Sequence, residues 1–403
     1  MKIVPDYFFE DGVAAIVRTF KQHGLANEAR IVGGCVRDAM LGRPCNDVDF
    51  ATTLTPDEVM SLFKSEGFGV EPTGIDHGTI TVIWNHHPYE ITTLRRDVET
   101  DGRRAVVEFS KDWREDAERR DFTINALYLD FNGELHDPWG DGAGFEHLAA
   151  RKLVFVGNAE TRIREDALRI IRLYRFMSTL GFQPDWTATE ACAKLHHLID
   201  GLSGERLEKE SLKLVKGQGV IHAVGSMIAD GVFESMFGYE PNALGISRRF
   251  QRRATFNMNA APINLLWMWD HEAAEKVCQR WKTSHAIRKA TVDIVKLGPI
   301  DLFSATRDSL WAEAHRYGMR NTIDRIRLSW IETDAVPYSA MEDMVAMVDQ
   351  KPEFPLRGQD LLDAGMKPGR EIGQRLKEIE DWWIANGFPT EDSVREQLKV
   401  IDA

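Results

Sequence analysis

The sequence predicts an α+β protein in which a mixed sheet with covering helices occupies roughly residues 1–150 and the rest of the chain is helical. Three observations carry this. Runs rich in β-branched and aromatic residues, bounded by turn residues, fall in the first third, and past it apolar residues recur with the period of helices. The third observation is the stretch Ile31–Thr53, IVGGCVRDAMLGRPCNDVDFATT, which joins a glycine turn to two acids two residues apart and reads as strand, turn, short helix, strand.

Within that stretch, Gly33-Gly34 supplies a positive φ and close backbone approach that only glycine tolerates without strain. Backbone N–H groups at the start of the segment carrying Val36-Arg37-Asp38 can then face an anion. In Asp47-Val48-Asp49-Phe50 alternate residues share a face, so both carboxylates project one way while Val48 and Phe50 turn to the core. Two oxygen ligands side by side near a phosphate-binding loop suit Mg²⁺ shared with substrate phosphates. An isolated pair of this kind is more often two acids on the wet face of an edge strand.

The other elements follow in order. Residues 1 to about 28 read as a helix, with Val13, Ile16, Val17 and Phe20 at helical spacing, leading to a strand at Arg30–Val32. Thr55-Pro56-Asp57-Glu58 has the form of a capped helix start, and the helix runs to Gly67. The β-rich runs 77–84 and 89–94 flank Asn85-His86-His87-Pro88 and so form a hairpin, with Glu90 on its second strand. Arg95–Arg104 is charged and poor in apolar residues, and reads as a mobile loop or an exposed hairpin end before a strand resumes at Ala105–Phe109. Leu135–Gly144, LHDPWGDGAG, is a turn-rich close to the domain; Pro138 directly after His136-Asp137 argues against a helical His-Asp metal dyad.

Thr161–Phe176, TRIREDALRIIRLYRF, reads as one helix with Leu168, Ile171 and Phe176 inward and Asp166, Arg169, Arg172 and Arg175 recurring every third residue. Gly204–Val215 is the next helix, where Arg206 and Glu210 either brace the preceding one or pair with each other at i,i+4. Further helices are expected at Ile263–Lys282, Ser309–Tyr317, Asn321–Ile331 and Glu371–Asn386, the last opened by Lys367-Pro368-Gly369-Arg370, a capped turn or a backbone-phosphate site.

At 403 residues the chain is long enough for two to four domains. It has no apolar run of about 18 residues and no basic-apolar leader, so the expectation is a cytoplasmic protein with no membrane association. Four cysteines at 35, 45, 192 and 278 show no zinc or disulfide spacing and read as small packing residues. A net charge of −13 is awkward for a nucleic-acid binder, whose affinity rests on phosphate contacts. Charge must then be unevenly spread, and Ile246–Ala290 carries nine Lys/Arg (among them Arg248, Arg249, Arg252 and Arg253) against three acids, a footprint candidate or a solvated helical face.

Three segments, GGCVRDAMLGRPCNDVDFATT, RRDFTINA (119–126) and EDALRIIRLYRF (165–176), together resemble the signature of the class II tRNA nucleotidyltransferase and bacterial poly(A) polymerase family. The likeness is strongest over 30–215 and continues weakly through the helical half. It implies a polymerase β-like nucleotidyltransferase head (1–150), a helical neck with a base-reading helix (151–225), and an all-helical body and tail that bind tRNA (226–403). By this resemblance Asp47 and Asp49 hold two Mg²⁺ ions, and Gly33, Gly34, Arg37 and Arg120 cradle the triphosphate. Asp121 and Asn125 orient the ribose or fix the arginine, Asp166 and Arg169 read the base, and Arg172 and Arg175 lie near the nucleotide or the RNA end. Glu90 is the candidate third carboxylate. The segment at 95–104 corresponds to the loop associated with the switch from adding C to adding A.

The implied activity is template-independent addition of C, C and A to the tRNA 3′ end from CTP and ATP, with pyrophosphate released and no obligate protein partner. A poly(A) polymerase shares every motif, but the C-terminal EDSVREQLKVIDA lacks the strongly basic extension such enzymes tend to carry. Partial enzymes adding only CC or only A are further alternatives. A non-catalytic RNA-binding relative would require a broken motif, and none is broken.

Overall fold

The computed structural model describes residues 2–45, 47–100, 105–239, 271–333 and 335–398. The basic cluster expected at 248–253 lies outside them, as do residues 263–270 of one expected helix. Contacts divide the chain into two compact units, Met1–Ala243 with Arg280–Lys282, and Leu244–Gln279 with Thr283–Ala403.

The first unit opens with α1 (Asp11–Gln22), shorter than the sequence suggested, then β1 (Ala29–Val32), α2 (Gly34–Met40), β2 (Asp49–Thr52) and α3 (Pro56–Ser65). Thr55 and Glu58 close the expected capping box at the start of α3. Then follow β3 (Gly69–Gly74), β4 (Thr79–Trp84) and β5 (His87–Thr93). The β4–β5 turn is Asn85-His86, with φ of 47° and 64°, the left-handed pair that a two-residue hairpin requires. After β6 (Arg95–Thr100), β7 (Ala105–Phe109), α4 (Trp113–Glu118), β8 (Tyr128–Leu129) and β9 (Leu135–His136), the chain continues through α5 (Ala143–Ala149) and β10 (Lys152–Leu153). It then becomes helical: α6 (Ala159–Glu165), α7 (Leu168–Leu180), the short β11 (Gln183–Pro184), α8 (Trp186–Leu195), α9 (Gly204–Val215), α10 (Val220–Ala229) and α11 (Val232–Phe237).

Seven strands form one mixed sheet in the order β3-β4-β5-β2-β1-β8-β9, with β2 and β5 parallel and the other neighbours antiparallel. Register assigns its two faces. Ile31 pairs with Phe50 and points with it into an aromatic core, where Phe50 and Phe20 both pack on Phe131 and Phe20 meets Phe63 edge-on at 5.4 Å. Val32 pairs with Asp49 on the other face, where Val32, Ala51, Leu94, Ala126 and Tyr128 form a second cluster. Asp49 thus stands at the edge of a packed face.

Two sequence expectations are corrected. Of the two readings of 95–104, the mobile loop is overturned over Arg95–Thr100, which pairs with Ala105–Phe109 as a two-stranded ribbon in agreement with the hairpin alternative; residues 101–104 lie outside the described set. Neither apolar pattern nor period is needed when pairing is satisfied across the ribbon, and Arg96 bonds Glu108 on the opposite strand at 2.7 Å. Nor is 161–176 one helix. It breaks at Asp166, whose backbone is extended (φ −152°, ψ 103°) and whose Oδ1 accepts the Leu168 N–H at 3.0 Å. A short acid that bonds a nearby backbone donor competes with helix continuation.

The described part of the second unit is helical, at His271–Trp281 (whose last two residues belong to the first unit), His285–Leu297, Arg307–Tyr317, Met319–Glu332, Tyr338–Asp349, Gly358–Asp363, Arg370–Ala385 and Glu391–Glu396. One of its cores gathers Leu356, Ile379, Trp383, Ile384 and Val394.

Close backbone packing fixes α9 in the first unit: a Cβ at Gly204 would fall 1.8 Å from the Trp281 carbonyl oxygen, a backbone atom that cannot step aside. Gly204→Ala is therefore expected to lower the unfolding free energy by about 2–3 kcal/mol. Gly225→Ala, inside α10 with open space around it, should raise it by about 0.4–1 kcal/mol. Urea denaturation of both variants checks the pair.

Candidate active site

Apart from Glu90, the candidate metal and nucleotide residues line one cavity of about 710 Å³ in the first unit: Gly33, Gly34, Arg37, Asp47, Asp49, Arg120, Asp121, Asn125, Asp166, Arg169, Arg172 and Arg175. Asp38, Phe176, Arg206 and Lys213 join them. Seven cations thus face five acids, a local surplus of positive charge in a chain of net charge −13. That balance suits a polyphosphate with its metal.

Each side chain is placed by an identifiable local cause. Gly33 takes φ 82° and ψ −131° as β1 turns into α2; a Cβ there would only touch Arg120 Nη1 at 3.6 Å, so the backbone conformation rather than space calls for glycine. Asp47 lies just before β2, whose first residue is Asp49. The expected alternation holds, with Asp47 and Asp49 outward and Val48 and Phe50 buried. The Cys45 thiol donates to the Asp47 carbonyl at 3.1 Å, so this cysteine shapes the turn before the acids as well as packing there.

The guanidinium groups are held by a chain of hydrogen bonds. Arg37 forks onto Asp38 (Nε–Oδ1 3.0 Å, Nη2–Oδ2 2.8 Å) and donates through Nη1 to Asn125 Oδ1 at 2.6 Å. Asn125 Nδ2 donates to Asp121 Oδ1 at 3.0 Å, and Arg172 Nε donates to Asp121 Oδ2 at 2.6 Å. Burial opposes ionisation of Asp121, but Arg172 and Asn125 outweigh it and bring its carboxyl down to about 2. Asp121 therefore carries its charge at neutral pH and fixes Arg172 on α7.

Arg120 has a separate anchor. It donates to Asp116 Oδ2 at 2.8 Å through Nη2, while the Tyr128 hydroxyl donates to the same oxygen at 2.7 Å and Arg119 takes the other oxygen. Asp116 is 1 % exposed, and the two arginines overcome its burial and hold its carboxyl well below the usual range. The sequence marked Arg120 but not Asp116, although the i,i+4 spacing was readable. Phe176 was also missed as a platform: the guanidinium carbons of Arg175, Arg37 and Arg172 lie 3.9, 5.0 and 5.5 Å from its ring centre. Cation–π attraction packs three positive groups around one aromatic face. Burial and the neighbouring Arg172 lower Arg175 to about 10, against the pull of Glu210, whose Oε2 is 2.9 Å from Arg175 Nε.

At the break between α6 and α7, Asp166 Oδ2 accepts from Arg206 Nη2 at 2.8 Å. Arg206 and Glu210 thus both reach across to α7 or its start rather than pairing with each other. Arg169 donates Nη1 to Glu165 and the Arg162 carbonyl, and Nη2 to the Arg119 carbonyl, at 2.7–2.8 Å. Two of its five N–H groups remain uncommitted among the described residues. His136, by contrast, pairs with Asp130 at 3.2 Å while Asp137 accepts the Gly140 and Gly144 amides, so the adjacent His136 and Asp137 do not act as a dyad.

The acids at the cavity edge can be tested against a divalent cation. Burial and the charges of Glu90 and Asp47 push the Asp49 carboxyl up to about 6, with Arg120 offsetting only part of this. Phe50 pairs with Ile91 in the parallel β2–β5 ladder, and continuing that register sets Glu90 beside Asp49. Crowded carboxylates with an all-oxygen donor set fit a hard cation such as Mg²⁺. Among the described residues, three ligand atoms converge within 4.8 Å only at Asp130, Glu134 and His136, where Asp130 is already locking the β8–β9 turn through the Asn132 and Glu134 amides. Glu90 does not line the cavity.

A polymerase β-like head whose acid pair opens on an arginine-rich cavity defines a nucleotidyltransferase. Comparison with known proteins agrees: residues 29–154 match the poly A polymerase head domain, and residues 258–395 match tRNA nucleotidyltransferase domain 2. The chain is 33 % identical over 391 residues to the mouse mitochondrial CCA tRNA nucleotidyltransferase 1, covering 95 % of this chain and 88 % of that protein. It is 34 % identical to the Streptococcus gordonii CCA-adding enzyme, covering 88 % of each. The solved structure of the Bacillus stearothermophilus CCA-adding enzyme in complex with CTP superposes with a TM-score of 0.78 at 27 % identity, covering 99 % of this chain and 98 % of that one. The chain belongs to the CCA-adding family of tRNA nucleotidyltransferases.

Asn125 is the hinge of the hydrogen-bond chain. Asn125→Ala leaves both Arg37 Nη1 and Asp121 Oδ1 without that partner in a buried setting, and should cost about 2–3 kcal/mol of stability, measured as a lowered urea midpoint at unchanged slope.

Proposed function

We propose that this protein adds C, C and A to the 3′ end of tRNA from CTP and ATP, without a nucleic-acid template. The observation that carries the reading is the meeting, around one cavity, of an acid pair for the reacting phosphate and an Asp166–Arg169 pair for the base. Asp47 and Asp49 would hold Mg²⁺, which would supply charge neutralisation at the α-phosphate and lower the pKa of the attacking 3′-hydroxyl.

The chain's own residues do the rest. Arg37, Arg120 and Arg172 are held by Asp38, Asp116 and Asp121, so they meet a triphosphate already oriented, and little reorganisation is needed as charge develops. Base choice follows from donor and acceptor chemistry. Cytosine and adenine present an exocyclic amine beside an unprotonated ring nitrogen; guanine and uracil present a carbonyl oxygen beside a ring N–H. Asp166 only accepts and Arg169 only donates, so they match the first pattern and oppose the second. Arg206 and the Leu168 amide each take one Asp166 oxygen, which fixes the carboxylate and leaves each oxygen a further lone pair. Each mismatch should cost on the order of 1–3 kcal/mol in a desolvated pocket. Size separates C from A and must be set by how the pocket adjusts. The division into head (1–150), neck (151–225), and body and tail (226–403) remains part of this proposal.

The test is incorporation at single-nucleotide resolution on a tRNA lacking CCA and on an unstructured RNA. Growth by three on the tRNA, C before A, then arrest, with almost none on the unstructured RNA, is the expected result. A long A-tail on either RNA would make the protein a poly(A) polymerase. Asp49→Asn should lower incorporation by about 10³-fold while leaving thermal stability equal or higher, because it relieves repulsion from Glu90 and Asp47.

A further inference from the structure

A second cavity, of about 500 Å³, lies in the same unit and has no assigned role. Three cations, Arg43, Arg151 and Lys216, line it together with backbone and neutral side chains, and no acid does. In a chain with 63 acids against 50 Lys and Arg, such a lining is a marked local departure. The side chains of Arg151 and Lys216 make no ion pair or hydrogen bond among the described residues. Arg43 is pre-set, with both Nη atoms donating to the Thr179 carbonyl at 3.1 Å. The floor is rigid: Gly217 packs against Ser178 so closely that a Cβ would lie 2.2 Å from its Oγ, and the Gly219 N–H bonds the Ser178 carbonyl at 2.9 Å.

Placement relative to the first cavity gives the direction of travel. Phe176 and Lys213 line the first cavity, Thr179 and Lys216 the second. Each pair is three residues apart on α7 or at the end of α9, about 4.5 Å of helical rise. That step is comparable to the roughly 3.4 Å advance of one nucleotide in a stacked strand. The loop from Arg43 to Cys45 joins the two cavities from the other side, Arg43 lining the second and Pro44 and Cys45 the first.

We infer that the second cavity takes backbone phosphate of the RNA being extended, so that the 3′-terminal strand reaches the reacting centre past Arg43, Arg151 and Lys216. The inference rests on the tRNA reading above and adds the route of the primer strand. The chemistry is phosphate recognition by guanidinium and ammonium groups; free phosphate or pyrophosphate would satisfy it equally, and the experiment separates these sources.

Arg151 offers a variant that should not harm the fold. It sits at φ 55°, where glycine is at ease, so Arg151→Gly removes the cation and relieves its backbone. Binding of a tRNA lacking CCA is measured against salt for wild type, Arg151→Gly and Lys216→Gln, together with the KM for CTP, thermal stability and inhibition by pyrophosphate. The expected result is RNA affinity weakened about three- to tenfold per variant and a salt slope reduced by about 0.7–0.9 for each charge removed. KM for CTP and pyrophosphate inhibition should not move, and Arg151→Gly should be at least as stable as wild type. RNA affinity equal to wild type in both variants overturns the inference, as does weakened pyrophosphate inhibition with RNA affinity intact. Wild-type extension of the same tRNA checks the activity separately: if extension occurs and the variants bind as wild type does, the primer route alone falls.

Discussion

The structure of the site depends on buried carboxylates that clamp arginines. Asp121 and Asp116 do not face substrate chemistry as free acids; each is buried and ionised because guanidinium groups surround it. The cost of burying charge is high unless it is paired and hydrogen-bonded, and here the pairing fixes Arg120 and Arg172 in position. Asn125 carries the constraint on to Arg37, and Phe176 gives three guanidinium groups one aromatic surface. A cavity that would otherwise repel itself as a ring of cations is thereby held open.

The same logic organises the break between α6 and α7. Because Asp166 interrupts the helix and caps its continuation, its carboxylate points where the chain break puts it rather than where helical periodicity would. Arg206 from α9 and Glu165 from α6 then hold Asp166 and Arg169. Two opposite charges that would collapse onto each other are each satisfied by a different neighbour and stay separate. Separation leaves both with hydrogen-bonding capacity beyond these partners, which is what the proposed reading of a base edge requires.

Much of this was legible in the sequence where chemistry and period coincide. The glycine turn, the alternation of Asp47-Val48-Asp49-Phe50, the capping box at Thr55–Glu58 and the β4–β5 hairpin are local, and local rules suffice for them. The twelve residues gather at one cavity because three motifs, far apart in sequence, carry recognisable spacing. What escaped was tertiary or depended on broken periodicity. The ribbon was legible only in its second strand, Ala105–Phe109; the charged Arg95–Thr100 is set by pairing across the ribbon, as between Arg96 and Glu108, rather than by an apolar alternation. The break at Asp166 is a side-chain capping event inside an otherwise helical pattern. Asp116 and Glu165 stand at the i,i+4 step from Arg120 and Arg169, and Phe176 four residues after Arg172, but spacing alone does not tell a pair that positions a site from an ordinary surface pair, and the approach of Arg37 to Phe176 has no linear signature. The cavity floored by Gly217 and Ser178 joins positions 43, 151 and 216, a juxtaposition with no linear signature.

The central claim is that a carboxylate and a guanidinium, held apart by their own partners, choose the nucleotide. The most direct test is the ratio of CTP and ATP to UTP and GTP incorporation by Asp166→Ala, on a tRNA lacking its terminal CCA, with total nucleotide affinity measured alongside. Discrimination should fall by about tenfold or more, the equivalent of one lost mismatch penalty, while triphosphate binding through Arg37 and Arg120 persists. Nucleotide transfer with base choice unchanged from wild type would contradict the account.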